Sequence, residues 1–321
     1  MGTLNGITRN LALTLLLSLL SLTAAAQYDV HFTHWWSVES FYNPAAMNRD
    51  GLLNLTGSFA AHMTGYEHAP TSMYFGADAA LPTSRKEVAA GISLFNESIG
   101  LFTSSNMAAN VSYMFLLGKG RLNIGMKAGL ISQEFNGGGV HAEQGNDPAF
   151  PGQKEKGTAA DLGAGIMYDR GPLQLGFGAM HLNSPHLEFG KSGGKRSEMD
   201  ISPMLILSGQ YNIQLENPLL SVQPGIFCMS DLAQTRVDMT VRGKYEYEQS
   251  LYYAGLTYSP GTSVTFLLGG KYKTVLIGYA YELNTQGAGY LNGSHDLLVS
   301  YGKEVDFFKR GRNAHKSIRY L

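Results

Sequence analysis

From residue 51 to residue 303 the sequence is built from segments of about ten residues in which apolar side chains alternate with small or polar ones. Leu122, Ile124, Met126, Ala128 and Leu130 interleave with Asn123, Gly125, Lys127, Gly129 and Ile131. The same period recurs in Ala160–Leu162–Ala164–Ile166–Tyr168, in Leu173–Leu175–Phe177–Ala179, in Tyr252–Ala254–Leu256–Tyr258 and in Leu297–Val299–Tyr301. Side chains of a strand point to opposite faces in turn, so period two is a β signal. A soluble sandwich also alternates. Here the segments are long enough to cross a bilayer at barrel tilt, and tyrosines (Tyr168, Tyr258, Tyr279, Tyr281, Tyr301) sit near the ends of the apolar faces. The opposite faces are rich in glycine, which suits the inner side of a curved closed sheet. Only 15% of residues are charged, against about 25% in an ordinary soluble domain. The fold class expected is all-β, a transmembrane antiparallel barrel.

Fourteen strands are predicted, at 51–62, 71–81, 87–97, 104–116, 121–134, 157–168, 172–182, 200–213, 219–230, 235–244, 249–258, 262–271, 273–284 and 293–303. An even count is the rule for single-chain bacterial barrels. Connections after even-numbered strands are tight, such as Gly118-Lys119-Gly120 and Asp169-Arg170-Gly171, whereas 135–156 and 183–199, after odd-numbered strands, are long. Short periplasmic turns and longer outer loops produce that asymmetry, which places both termini in the periplasm.

Residues 1–26 read as a secretory signal: Arg9, an apolar run from Leu11 to Leu22, and Ala24-Ala25-Ala26 before Gln27. The run is too short for a membrane helix, and no later run reaches about 18 apolar residues. The domain plan is therefore signal 1–26, an N-terminal segment 27–50 that is a candidate plug, a barrel over 51–303, and a basic tail 304–321 in the periplasm. The net charge of −1 lacks the basic footprint of a nucleic-acid binder, and a single cysteine, Cys228, excludes an intramolecular disulfide.

Three stretches resemble a known family: Phe41-Tyr42-Asn43-Pro44-Ala45-Ala46, then Ala69-Pro70-Thr71 running to Asp78, Ala80, Leu81 and Pro82, and His181-Leu182 followed by Pro185. They are similar to the PorP/SprF proteins of the type IX secretion system of Bacteroidetes-type bacteria. The ending Ser317-Ile318-Arg319-Tyr320-Leu321 is similar to that family's basic-aromatic terminus. The resemblance implies a non-enzymatic outer-membrane barrel. It would bind periplasmic ring or lipoprotein components, or a secreted adhesin through its C-terminal sorting domain, in secretion, anchoring or gliding motility. The sequence departs from the family pattern at Met47–Gly51, which follows Asn-Pro-Ala-Ala, and at Phe59–His62 in the first strand.

The candidate contact residues follow from position. Asn43 and Pro44 make either a plain turn or a hatch in the barrel mouth, since FadL-like transporters of hydrophobic solutes carry a similar Asn-Pro-Ala. A FadL-like channel for a small hydrophobic solute is accordingly the alternative function, and a soluble exported β protein a third. Asp147 and Phe150 lie in the longest outer loop, the first candidate for contact with cargo. Lys191, Lys195 and Arg196 in 183–199 suit lipopolysaccharide phosphates or a solvated cluster. The tail offers Lys309, Arg310, Arg312, Lys316 and Arg319 to an acidic periplasmic partner. No catalytic, cofactor or metal pattern is present: there is no zinc-binding His-x-x-x-His helix, no Gly-x-Ser-x-Gly elbow and no phosphate loop.

Overall fold

The computed structural model describes residues 30–47, 53–81, 87–137, 154–192, 195–285 and 293–303. In chain order the elements are a single helical turn α1 (Glu39–Tyr42), a 3₁₀ turn (Pro44–Ala46), and strands β1 (Leu53–Ala61), β2 (Thr71–Ala80), β3 (Val88–Ile99), β4 (Phe102–Leu117), β5 (Gly120–Asn136), β6 (Lys154–Arg170), β7 (Leu173–Met180), β8 (His186–Ser192), β9 (Lys195–Asp200), β10 (Met204–Tyr211), β11 (Ile213–Gln214), β12 (Leu220–Ser230), β13 (Thr235–Tyr247), β14 (Ser250–Ser259), β15 (Ser263–Tyr272), β16 (Val275–Asn284) and β17 (Ser294–Lys303). Each barrel strand pairs antiparallel with its chain neighbours. β1 closes on β17, from Leu53↔Lys303 to Ala61↔His295, and β10 skips to β12. The result is a closed ring of fourteen strands with no free edge, as a bilayer demands of β structure.

The radial distribution of side chains is the reverse of a soluble protein's. Met73, Ile92, Met107, Met126, Leu130, Leu207, Leu256 and Leu268 are exposed, while Lys127, Asp161 and Asp238 are at most 3% exposed. Water outside would make both arrangements costly; hydrocarbon outside and a polar lumen explain both. On β5 the outward residues are apolar from Leu122 to Leu130. At barrel tilt this stretch rises roughly 20 Å, close to the height of an outer-membrane apolar band. Tyr211, Tyr245, Tyr247, Tyr252 and Tyr272 are exposed at the end of the short turns and form an aromatic girdle.

β4, β5 and β6 run longer than expected, at 16, 17 and 17 residues. Their outward faces turn polar toward the long-loop end. The Ser132 and Thr158 hydroxyls lie 2.8 Å apart, Lys154 Nζ donates to Glu134 Oε1 at 2.8 Å, and Asn96 Nδ2 donates to Ser105 Oγ at 2.8 Å, all at the surface. Lipid cannot solvate such groups, so this sector stands proud of the membrane.

The region 183–199 departs from the expectation of a plain loop. The seventh strand ends at Met180 because His181 turns into the left-handed region (φ 55°), held by a 2.8 Å hydrogen bond between its Nδ1 and Asp161 Oδ1. The chain then forms the separate β8–β9 hairpin, and Asp200, expected in the next barrel strand, closes that hairpin instead. The barrel ladder resumes only after Pro203, which has no amide hydrogen to offer. Leu187 and Phe189 are buried, and Gly157 of β6 leaves room for Leu187 and the Glu188 carbonyl of β8.

Candidate functional site

The barrel has a filled interior. Residues 30–47 run through it, and nearly all of them are buried. The segment clasps itself first: Phe32 N donates to Tyr42 Oη at 2.9 Å, and Tyr42 Oη donates to Val30 O at 3.1 Å. Asn43 caps the 3₁₀ turn by accepting from Ala45 N at 2.9 Å, with Pro44 at its first position. Trp35 stacks on Phe227 of β12 (centroids 5.3 Å apart), Tyr42 packs on the same ring at 4.9 Å, and Phe41 meets Tyr74 of β2 at 5.2 Å.

Polar anchors bind the segment to strands around the ring. Thr33 N donates to Asp296 Oδ2 of β17 at 2.7 Å, Ser208 Oγ of β10 donates to Glu39 Oε1 at 2.6 Å, and Asn43 Nδ2 donates to Ile166 O of β6 at 3.0 Å. His31 Nε2 lies 2.5 Å from Asp238 Oδ2 of β13. Asp238 also receives Arg236 Nε at 3.0 Å and the Ser259 hydroxyl, and Arg236 reaches on to Glu282 Oε1 at 2.9 Å. In that cluster the serine donates to the aspartate rather than to the histidine, so it lacks the serine–histidine contact of a nucleophile and its base. Arg242 stands 3.6 Å over the ring of Trp36 while its guanidinium donates to Gln210 and Gln223. Buried charges of this kind are tolerated because each has a partner or an aromatic face.

Several lumen-facing glycines are seats for this segment rather than devices of curvature. A Cβ on Gly125 would lie 2.6 Å from Pro44 O, one on Gly178 would lie 2.6 Å from Tyr42 O, and one on Gly165 would lie 2.8 Å from Asn43 Cγ. Turn glycines answer a different need. Gly118 and Gly171 have φ of 60° and 57°, and open space lies where a Cβ would be.

Toward the long-loop end the segment leaves a cup of about 630 Å³, with Phe41 contributing to its lining. The wall combines Phe95, Ile99 and Phe102 with Met63, Met180, Met199, Ile201 and Met204. Its polar members are Glu97, Ser104, Asn106, Gln133, His181, Ser202 and Asp231. Asp161 stands behind it, accepting from Asn106 Nδ2 at 2.7 Å and bonded to His181. Size and lining match a ligand site, apolar with a few placed polar groups. Sequence reasoning missed this cup. Its methionines come from four separate places in the chain, and no local pattern links them.

Among the expected contact residues, the structure places Asn43 and Pro44 deep in the lumen against β5–β7. Asp147, Phe150, Lys309, Arg310, Arg312, Lys316 and Arg319 lie outside the described residues. Among the described residues no group of three or more His, Cys, Asp or Glu is placed to hold a metal ion. On the exposed hairpin, His186 Nδ1 lies 2.6 Å from Asp200 Oδ1, and that hydrogen bond pushes the imidazole above its ordinary value of 6.5. A raised value means that the bond supports the hairpin fully below about pH 6.5, and that support fades as pH climbs through the raised value. Amide exchange across 186–200 is therefore expected to accelerate between neutral and mildly alkaline pH beyond its intrinsic base catalysis, and His186→Gln should remove that excess.

The family described as type IX secretion system membrane protein PorP/SprF matches residues 24–301. No curated protein matches the chain. Among solved structures, the CymD monoaromatic hydrocarbon channel superposes with a TM-score of 0.51 at 12% identity, covering 84% of this chain and 93% of that one. A FadL homologue from Pseudomonas aeruginosa gives 0.46 at 13%, covering 81% and 91%. The Ralstonia pickettii toluene transporter TbuX gives 0.47 at 12%, covering 84% and 94%. At these identities the likeness is one of fold. With the family match spanning nearly the whole barrel, the chain belongs to the PorP/SprF family of type IX secretion system membrane proteins, and is an outer-membrane β-barrel of that system.

Proposed function

We propose that this barrel serves type IX secretion by binding rather than by conducting or catalysing. Its long-loop end, with 135–156 and the β8–β9 hairpin, receives a secreted surface protein such as an adhesin. Its tail 304–321, through Lys309, Arg310, Arg312, Lys316 and Arg319, holds a periplasmic ring or lipoprotein component. Asp147 and Phe150 contribute to the outer contact, and basic residues of 183–199 meet lipopolysaccharide. In this reading both termini are periplasmic and residues 27–50 act as a permanent plug. The observation that carries it is the segment 30–47, bonded to β6, β10, β13 and β17 across a lumen whose glycines are cut to its shape. A passage built for solute would not be filled by a segment tied by polar contacts to four strands around the ring.

The test is deletion of the gene with mass spectrometry of surface and secreted proteins. Loss of every type IX cargo marks a core component, and loss of one or two large adhesins marks a dedicated partner. An unchanged cargo set would overturn the reading. The apolar cup of about 630 Å³ favours one second reading, a channel for a small hydrophobic solute in the manner of CymD, a monoaromatic hydrocarbon channel. Uptake of such a solute into liposomes bearing the protein would decide for it.

A further inference from the structure

We infer that the cup at the long-loop end binds an extended apolar peptide segment that carries a lysine or arginine, supplied by the exported partner. This deepens the binding reading above and rests on it. Three observations converge on that chemistry. The cup is walled by Phe95 and Phe102 with Met63, Met180, Met199 and Met204. Methionine is unbranched and polarizable, so a methionine wall adapts to varied apolar side chains and does not fit one rigid solute.

The second observation is charge. Among the described residues, the ionisable side chains of the lining are Glu97, Asp231 and His181. Both carboxylates are held in place. Glu97 Oε1 accepts from Ser72 Oγ at 3.1 Å, and Asp231 Oδ1 accepts from the amides of Ala233 and Gln234 at 2.9 and 2.6 Å. His181 is committed to Asp161. An apolar site with two fixed negative groups selects a cationic residue on an otherwise apolar chain. The third observation is depth. Phe41 belongs both to the cup lining and to the aromatic cluster that packs residues 30–47 into the lumen, so the cup stops at the segment. An occupant enters and leaves by the same mouth, as a docked peptide does and a transported solute does not.

The test uses full-length protein in lipid nanodiscs and a short fluorescent peptide of Leu, Val, Phe and Ser with one lysine, followed by anisotropy. A second peptide carries glutamate in place of the lysine. The lysine peptide should bind, and the glutamate peptide should bind at least about tenfold more weakly, a preference that shrinks as salt is raised. The pair of isosteric changes Glu97→Gln and Asp231→Asn should bring the two peptides to nearly equal affinity. Phe102→Ala with Met199→Ala, two partly exposed wall positions, should weaken both by about tenfold or more. Equal binding of the two peptides to the unchanged protein would overturn the inference. So would a lysine preference that survives the Gln/Asn pair, or binding of toluene with no peptide binding at all. The cellular deletion separates the two levels. Cargo loss without peptide binding sinks only this inference, whereas peptide binding with an unchanged cargo set sinks the export reading.

Discussion

Leucine in place of Gly125 is expected to drive residues 30–47 out of the lumen while leaving the barrel closed. The new side chain would start within 2.6 Å of Pro44 O and against the Pro44–Ala45 backbone, which cannot swing aside as a flexible side chain could. Overpacking of a tight site costs about 1–3 kcal/mol, and a backbone obstacle puts this change at or above the top of that range. The β5 ladder itself has no reason to break, because its partners Ser112 and Gly165 keep their register positions. The readout is intrinsic. The chain has two tryptophans, Trp35 and Trp36, and both are in this segment. Their emission therefore reports on the segment alone. Acrylamide quenching should rise several-fold in Gly125→Leu and the emission should shift to the red. Ala128→Leu, on the lipid face of the same strand, should change neither. Quenching equal to that of the unaltered protein would show that the segment is not held as described.

The second large effect is expected at Asp238. This carboxylate is fully buried and is shared by His31 of the segment, Arg236 of its own strand and Ser259 of β14. Asp238→Ala leaves Arg236 with Glu282 and a long 3.5 Å contact to the Ser259 hydroxyl, and removes the carboxylate that His31 faces. Removing one partner of a buried ion pair costs about 3–5 kcal/mol, because the remaining charge stays desolvated. Asp238→Asn keeps the shape and one acceptor, and should cost distinctly less. Urea unfolding in detergent, followed by the loss of heat-modifiable migration on gels, measures both. A difference below about 1 kcal/mol for the alanine variant would mean that the cluster is wetter than its burial indicates.

The strand count was legible because lipid and lumen impose opposite demands on successive residues. Leu122 to Leu130 alternate with Asn123 to Gly129 along a run long enough to cross a bilayer, and each such run became one strand of the ring. The tight turns were legible as well, since Gly118 and Gly171 announce a positive φ. The last few residues of β4–β6 at the long-loop end were not. Phe102, Thr103, Phe135, Asn136 and Lys154–Lys156 fall in the expected loops, and they stay in strands because the ladder continues above the membrane where water replaces lipid. The β8–β9 hairpin was missed for a related reason. Its register shifts between Glu188 and Lys191, which breaks the period that betrayed the other strands.

Alternation along the chain, together with the length of the segments and the tyrosines at the ends of their apolar faces, thus determined that this is a membrane barrel, how many strands it has, and which face of each strand is oily. Those features depend on neighbours one and two residues away, and on the solvent each face meets. The contents of the barrel were decided only by the tertiary structure. Glycines at 125, 165 and 178 read alike from sequence as small inward residues; closure of the ring brings all three against Tyr42–Ala45. Asp238 and His31 are separated by most of the barrel sequence, and the cup brings Met63 of the first long-loop-end connection together with Met180, Met199 and Met204 more than a hundred residues on. Contacts of this kind belong to the closed ring, because only closure puts residues of distant strands on opposite sides of one lumen.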